Sequence, residues 1–371
     1  AYAKEYKLVS DRIAFYDSIQ TNKNNIETEL LKLYPNTTMT LSGLWKIKTK
    51  DTIVLNKIKK LKDYIKNNTK YASRKATEQR YLDIYLNVNY DERSIIGDNV
   101  DDIKDTVYGN NIIASDTTEG AHTHAIKVAG IIGANRNNNV GIKGITNAVK
   151  IMPISISPYG DEQDKDMALG IRYAVNNGAK VINISSSKTF SLHQDWVLDA
   201  LKYAEERDVL VVTSAGNNSE DLEKYFNYPN DTNSRNKEVL TNFIKVGASS
   251  NFLNENLVHQ TSNYGKKSVD IFAPGRYIYT TQANNTYNYS GGTSLSAPIV
   301  SGVVALIRSH YPNLTASEVK QIIMESGVSY DIMVNKPSTS KEKELVPFSS
   351  LSKSGKIVNA YNALLMAEEV S

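Results

Sequence analysis

The feature that most restricts the fold is a rhythm in the second part of the chain. From about residue 107 onward, short apolar runs alternate with stretches whose apolar residues recur at helical spacing. Val149-Lys150-Ile151-Met152-Pro153-Ile154 reads as a strand, and residues 166–177 as a helix that stops at Gly178. Lys180-Val181-Ile182-Asn183-Ile184 reads as a strand, residues 196–206 as a helix, and Val209-Leu210-Val211-Val212 as a strand again. Near-continuous apolar strands alternating with helices must be covered on both faces. This predicts a doubly wound α/β fold with a mostly parallel sheet. Ligands and chemistry in such sheets gather outside the carboxyl ends of the strands. That rule directs attention to Ser185-Ser186-Ser187 and to Ser214-Ala215-Gly216-Asn217-Asn218. Farther on, Thr315 and Glu318 have capping-box spacing for a helix that Gly327 would end.

The beginning of the chain follows a different rule. Tyr2, Tyr6, Val9, Ile13, Tyr16 and Gln20 recur at steps of three and four, as do Ile53, Leu55, Ile58, Leu61 and Ile65 in rough form. Pro35-Asn36-Thr37-Thr38 interrupts them. The expectation is a helical hairpin without chemical motifs over residues 1–105, followed by the sheet-forming region over 106–371.

Composition removes several function classes. The net charge of +3, from lysines and arginines spread along the chain, offers no footprint for nucleic acid. The absence of cysteine excludes disulfides, thiolate catalysis and thiolate-bound metals. No apolar run reaches the ~18 residues of a membrane span; the longest is interrupted by Pro298, Ser301 and Gly302. No Gly-x-Gly-x-x-Gly or Walker loop follows a strand, which counts against a nucleotide-binding enzyme. No cofactor is expected. Asp161, Glu162, Asp164 and Asp166 could hold calcium, but a solvated acidic loop is the plainer expectation. The start, Ala1-Tyr2-Ala3-Lys4-Glu5-Tyr6, has neither an initiator methionine nor an apolar leader. This creates the expectation that an upstream piece has been removed or belongs to a longer precursor.

The string Gly291-Gly292-Thr293-Ser294-Leu295-Ser296-Ala297-Pro298 precedes an apolar helix. A serine in the first helical turn sits beside unpaired N–H groups and the positive end of the dipole. Glycines before it permit a sharp turn and close substrate approach. A nucleophilic serine needs that placement and a base to take its proton. An N-cap serine on a core helix would need only the serine; the complete string is far more specific.

Gly292 to Pro298 resembles the nucleophile motif of the subtilase family of serine peptidases. Ser262-Asn263-Tyr264-Gly265, then Val269-Asp270-Ile271-Phe272-Ala273-Pro274-Gly275, resembles the segment that precedes this motif in many subtilases. Gly355-Lys356-Ile357-Val358-Asn359-Ala360 is similar to the start of their final helix. The resemblance runs from about residue 108 to the end. It implies a subtilisin-like doubly wound sheet, preceded here by a helical insertion of the kind some bacterial envelope subtilases carry. It also implies a polypeptide substrate, secretion or a place in the cell envelope, and association with an upstream fragment or other envelope proteins.

By the same resemblance Ser294 is the nucleophile and Asn217 the side-chain donor of the oxyanion hole. His124, ahead of Val128-Ala129-Gly130, is the general base, with His122 as the competing histidine. Ser185, Ser186 and Ser187 line the substrate cleft, where their backbone can pair with an extended chain. The sequence departs from the family at Ala125 and Ile126, where glycine and threonine are usual. It also lacks the expected Asp-Ser-Gly or Asp-Thr-Gly before His124. Asp17, in Asp17-Ser18-Ile19, lacks the glycine and falls on the polar side of a helical stripe. The catalytic acid is therefore expected from an upstream segment. The competing reading is an inactive subtilase fold that serves as a binding or scaffold subunit.

Overall fold

A computed structural model describes residues 2–91, 93–113, 123–147, 149–157, 162–233, 237–340 and 342–371, with only the backbone described for 94 and 95. The chain forms two compact units, Ala1–Ile95 and Ile96–Ser371.

In the first unit, α1 (Tyr2–Leu33) packs on α3 (Thr52–Arg80), with the short α2 (Leu41–Lys46) between them in sequence. Asp51 starts α3 by accepting the backbone N–H groups of Ile53 and Val54 at 2.8 and 3.2 Å. The buried stripe of α3 is Val54, Ile58 and Leu61, packed with Leu30 and Leu44. Ile53 and Leu55, expected on that stripe, remain exposed. Only the steps 54–58–61 keep to one face, and 53 and 55 lie about 100° to either side. Asp17 is exposed on α1 and pairs with Lys75 of α3 at 2.5 Å.

The second unit includes residues 96–105, which the sequence reading had grouped with the helical region. The cause is Lys165, fully buried on α6 (Asp164–Asn176). Its ammonium meets Asp98 at 3.0 Å, Asp105 at 3.3 Å and the Asn99 carbonyl at 2.7 Å, and the Tyr108 ring lies 4.4 Å away. A cation buried this deeply is tolerable only when paired and hydrogen-bonded. It ties the 98–108 segment to α6. The four-residue α4 (Arg93–Ile96) and then α5 (Thr123–Gly133) follow in sequence.

Six strands form the main sheet: β1 (Val181–Ile184), β2 (Leu210–Ser214), β3 (Phe243–Ser249), β4 (Ile271–Pro274), β7 (Val328–Ser329) and β10 (Lys356–Ile357). Their order is β1-β2-β3-β4-β10-β7, and every neighbouring pair is parallel except β10–β7. Side chains alternate across the sheet. Leu210, Val212, Ile244 and Val246 face α8 (Thr293–His310), α9 (Ala316–Ser326) and α10 (Ala360–Val370). Val211 and Phe243 face α6 and α7 (Gln194–Glu205). This is the predicted doubly wound, subtilisin-like α/β architecture. Two hairpins, β5 (Ile278–Gln282) with β6 (Thr286–Ser290) and β8 (Met333–Asn335) with β9 (Leu345–Pro347), stand outside it. The predicted capping box forms: the Thr315 hydroxyl accepts from the Glu318 N–H at 3.2 Å, and the Glu318 carboxylate accepts from the Thr315 N–H at 2.8 Å.

The strand expected at residues 149–154 is absent. The segment lies against α5 and α6, where Val149 and Ile151 neighbour Gly133 and Ile154 and Ile156 neighbour Gly170. It nevertheless forms no ladder with β1, and Ile151, Met152 and Ile154 stay exposed. A strand exists only when a neighbour accepts its hydrogen bonds, and among the described residues β1 pairs on one side only, with β2. In the acidic loop, Asp161 lies outside the described residues. Asp164 is buried against Lys188 at 2.8 Å, the Ser191 hydroxyl at 2.9 Å and the His193 N–H at 2.8 Å, while Asp166 accepts from the Tyr108 hydroxyl at 2.6 Å.

Candidate active site

The carboxyl ends of β2 and β4 hold the turn that leads into α8. The Gly292 N–H donates to the Gly275 carbonyl at 2.8 Å, and the Ser296 hydroxyl donates to the carbonyls of Ala273 at 3.1 Å and Pro274 at 3.2 Å. A Cβ at position 275 would lie 2.4 Å from that hydroxyl, so only glycine fits. Gly292, with φ at +124°, takes the backbone where a side chain would be strained. These constraints put Ser294 in the first turn of α8, half-buried, beside N–H groups that have no acceptor within the helix.

Asn217 meets this turn directly. Its Oδ1 accepts the Thr293 N–H at 2.9 Å and lies 3.2 Å from the Thr293 hydroxyl. The same Thr293 hydroxyl accepts the Gly216 N–H at 3.1 Å. A backbone N–H can only donate, so the oxygen of the Asn217 amide must face Thr293. Its Nδ2 then has no protein acceptor among the described residues and is free to donate to a ligand. Behind the turn stands Asn263, fully buried. Its Oδ1 accepts from the N–H groups of Asn218 at 3.0 Å and Glu220 at 2.9 Å, and its Nδ2 donates to the Ala215 carbonyl at 2.9 Å. Gly216, at φ +97°, passes so close that a Cβ there would sit 2.6 Å from the Asn263 amide nitrogen.

His124 stands in the first turn of α5, which packs against α8. The hairpin fixes this helix: the Thr281 hydroxyl donates to the Ile126 carbonyl at 2.8 Å and the Thr280 hydroxyl to that of Lys127 at 2.9 Å. Gly130 is needed where α5 crosses Thr281, whose hydroxyl would be 2.0 Å from a Cβ. The imidazole is reached by solvent but crowded, and that partial burial, with the Lys127 ammonium next, holds its pKa below the ordinary histidine range. No hydrogen bond joins His124 to Ser294, and no described carboxylate pairs with the ring. His122 lies outside the described residues.

Ser185, Ser186 and Ser187 follow β1 and are half-buried. Ser185 Oγ accepts from Asn183 Nδ2 at 2.8 Å, while the Asn183 Oδ1 accepts from Ser301 of α8 at 2.9 Å. Ser187 Oγ is 3.2 Å from where a Cβ on Gly216 would lie, so Ser187 and the Asn217 turn adjoin. Next to them Lys188 and Tyr228 exchange both backbone hydrogen bonds, at 2.8 and 3.0 Å. Asn263 and Thr293 are the supporting residues that sequence reasoning did not assign. Both belong to strings noticed for their likeness, but their partners are 43–48 and 76–77 residues away along the chain. No group of His, Asp and Glu side chains among the described residues is arranged to hold a metal ion.

A parallel sheet whose carboxyl edge joins an asparagine amide to a helix-borne serine, with a histidine-bearing helix packed alongside, is a subtilisin-like fold. The chain belongs to the subtilase family, whose model matches residues 23–350. It is 32% identical over 206 residues to the thermophilic serine proteinase of Bacillus sp. (strain AK1), covering 55% of this chain and 47% of that protein. To the cell wall-associated protease of Bacillus subtilis (strain 168) it is 30% identical over 218 residues, 58% of this chain and 22% of that one. Among solved structures, a protease from Pseudoalteromonas arctica PAMC 21717 superposes with a TM-score of 0.52 at 26% identity, covering 66% of this chain and 70% of that chain. The chain thus spans less than half the length of these two curated relatives.

Proposed function

We propose that this chain is the main part of a serine endopeptidase that cleaves polypeptides through an acyl-enzyme. Ser294 attacks the peptide carbonyl, and His124 takes its proton and passes it to the leaving amine. The Asn217 Nδ2, with the N–H groups at the head of α8, stabilises the oxyanion. Ser185, Ser186 and Ser187 flank the acyl side of the substrate. The observation that carries the reading is the fixed Asn217 amide, held by Thr293 so that its donor is unused next to Ser294.

His124 also needs a carboxylate, because the charged group beside it is the cation Lys127, which opposes imidazolium. We place the acid on a segment outside the described residues, added as a strand to the open edge of β1. Two observations support that location. β1 is an edge strand of a sheet otherwise covered on both faces, and Ile151, Met152 and Ile154 are exposed near that end of the sheet. Both are expected where a strand is wanting. A cell-envelope or secreted setting is proposed from the cell wall-associated relative. No described helix is long and apolar enough to cross a membrane.

The test is a fluorophosphonate probe applied to the full-length precursor. Labelling at Ser294 that is lost in Ser294→Ala and in His124→Ala is the expected result. An unlabelled Ser294 in the intact protein would replace catalysis with a binding or scaffold role for the fold.

A further inference from the structure

The β5–β6 hairpin fills the space between the histidine helix and the nucleophile turn. Its Thr280 and Thr281 hydroxyls hold the carbonyls two and three residues after His124, and its last strand ends at Ser290, four residues before Ser294. One face of this hairpin is lined with tyrosine. The register pairs Tyr279 with Tyr289, and the next pair on that face is Thr281 with Tyr287, whose ring packs on Gly141; Tyr277 immediately precedes β5. The rings of Tyr279 and Tyr289 are 5.0 Å apart and tilted by 46°, and Tyr277, Tyr279 and Tyr289 are 59%, 45% and 63% exposed.

Tyr277 also holds φ at +54°, a left-handed conformation that is costly for an aromatic residue. Arg276 lies 5.0 Å from the Tyr277 ring and 5.1 Å from that of Phe252. The ring surface of Tyr279 and Tyr289 stays largely exposed, so packing does not account for it. The hairpin's buried contacts run through Thr280 and through Thr281 at Gly130.

The direction of the substrate follows from the chemistry. The base that takes the serine proton returns it to the leaving nitrogen, so the chain after the scissile bond departs on the histidine side. The acyl half lies on the other side, by Asn217 and the cleft serines. Besides α8, the element that abuts the histidine helix is this hairpin. We infer that the tyrosine face of β5–β6 is the track for the part of a polypeptide substrate that follows the scissile bond, with an aromatic side chain of that part stacking on the Tyr279–Tyr289 pair. This assignment rests on the peptidase reading above, and it gives that site a sequence preference.

The test uses the full-length protein and two internally quenched peptides that are identical up to the scissile bond. One carries phenylalanine in the first three positions after the bond, the other alanine. The wild type should favour the phenylalanine peptide, chiefly through KM. Tyr279→Ala combined with Tyr289→Ala should cut that preference roughly tenfold, in keeping with stacking of two rings. Tyr279→Phe with Tyr289→Phe should keep it, because the rings remain. An unchanged preference in the alanine double variant overturns the inference.

If the wild type hydrolyses neither peptide, the peptidase reading has failed, and binding still decides the track. A fluorescent peptide matching the phenylalanine-containing second half should bind the wild type and lose affinity for the alanine double variant. Equal binding to both proteins overturns the inference. So does displacement of the peptide by chitotetraose, which would make the face a glycan platform.

Discussion

Asn263→Ala gives the sharpest check on how the site is held. The side chain makes three hydrogen bonds, to the N–H groups of Asn218 and Glu220 and to the Ala215 carbonyl. A neutral hydrogen bond contributes about 0.5–1.5 kcal/mol net, and a buried group left without a partner costs about 1–3 kcal/mol. Water can replace the lost partner at exposed Asn218, but not at Ala215, which is fully buried. The expected loss is therefore about 2–4 kcal/mol. Urea unfolding in a Trp45→Phe background would follow the second unit through Trp196, with a lower midpoint at unchanged slope. The turn that aims Asn217 should loosen as well, so fluorophosphonate labelling of Ser294 should slow by at least roughly tenfold. That falls short of the ~10²–10³ for deleting an oxyanion donor, a magnitude established on a subtilisin and carried over here. A stability change below ~1 kcal/mol with labelling at the wild-type rate would refute the idea that Asn263 braces the site.

Lys127→Gln removes the cation that, after burial, lowers the His124 pKa. The pKa should rise, and the acidic limb of the kcat/KM profile should move to higher pH; a limb that stays in place would remove His124 as the base. Lys165→Met removes the buried ammonium that meets Asp98, Asp105 and the Asn99 carbonyl. It should cost about 3–5 kcal/mol and make the 98–108 segment the first site of limited proteolysis, and wild-type resistance there would contradict the anchoring role. Asp231, buried first of all and facing Asp270 and Glu238, has its pKa raised to about 6 despite Lys320 and Lys245 nearby. The folded state holds this proton more tightly than the unfolded chain, so the contribution is complete below the unfolded pKa and lost as pH rises through about 6. Asp231→Asn should flatten that part of the stability curve, removing a difference of about 2 kcal/mol between the stabilities read by urea unfolding at pH 4.5 and 7.5; parallel curves would show that the group titrates normally.

Much of this architecture was legible because its causes are local. Strands β1 and β2, helices α6 and α7 and the Thr315 capping box each follow from periodicity or a short motif, and each forms within a few residues of its expected bounds. What escaped depends on distant partners. Lys165 looks like one more polar residue of an amphipathic helix until Asp98 and Asp105, 60 or more residues earlier, close over it. Val149 to Ile154 has the composition of a strand, yet a ladder needs a neighbour that the string cannot specify. The Asn217 amide was identified by likeness, but its orientation comes from Thr293, 76 residues later.

On the peptidase reading the acid belongs to this second kind of residue, and the electrostatics of His124 are the reason that reading asks for one. A neutral imidazole suits a general base, and burial together with Lys127 favours that form. On the peptidase reading, once the ring has taken the serine proton those same influences disfavour the product, an imidazolium with an ammonium nearby. The described residues thus favour the first half of the proton cycle and oppose the second. A carboxylate within hydrogen-bond reach would reverse that balance and also set the tautomer of the ring. Asp17 is ill suited to the task, since it is solvent-exposed and already paired with Lys75 within the helical unit. On the same reading, the group proposed to complete the site would bring a negative charge with few competing partners and an extended backbone able to hydrogen-bond along the outer edge of β1. On the reading proposed above, a strand ending in an aspartate would meet both needs at once, since among the described residues β1 has one sheet neighbour and no carboxylate pairs with His124.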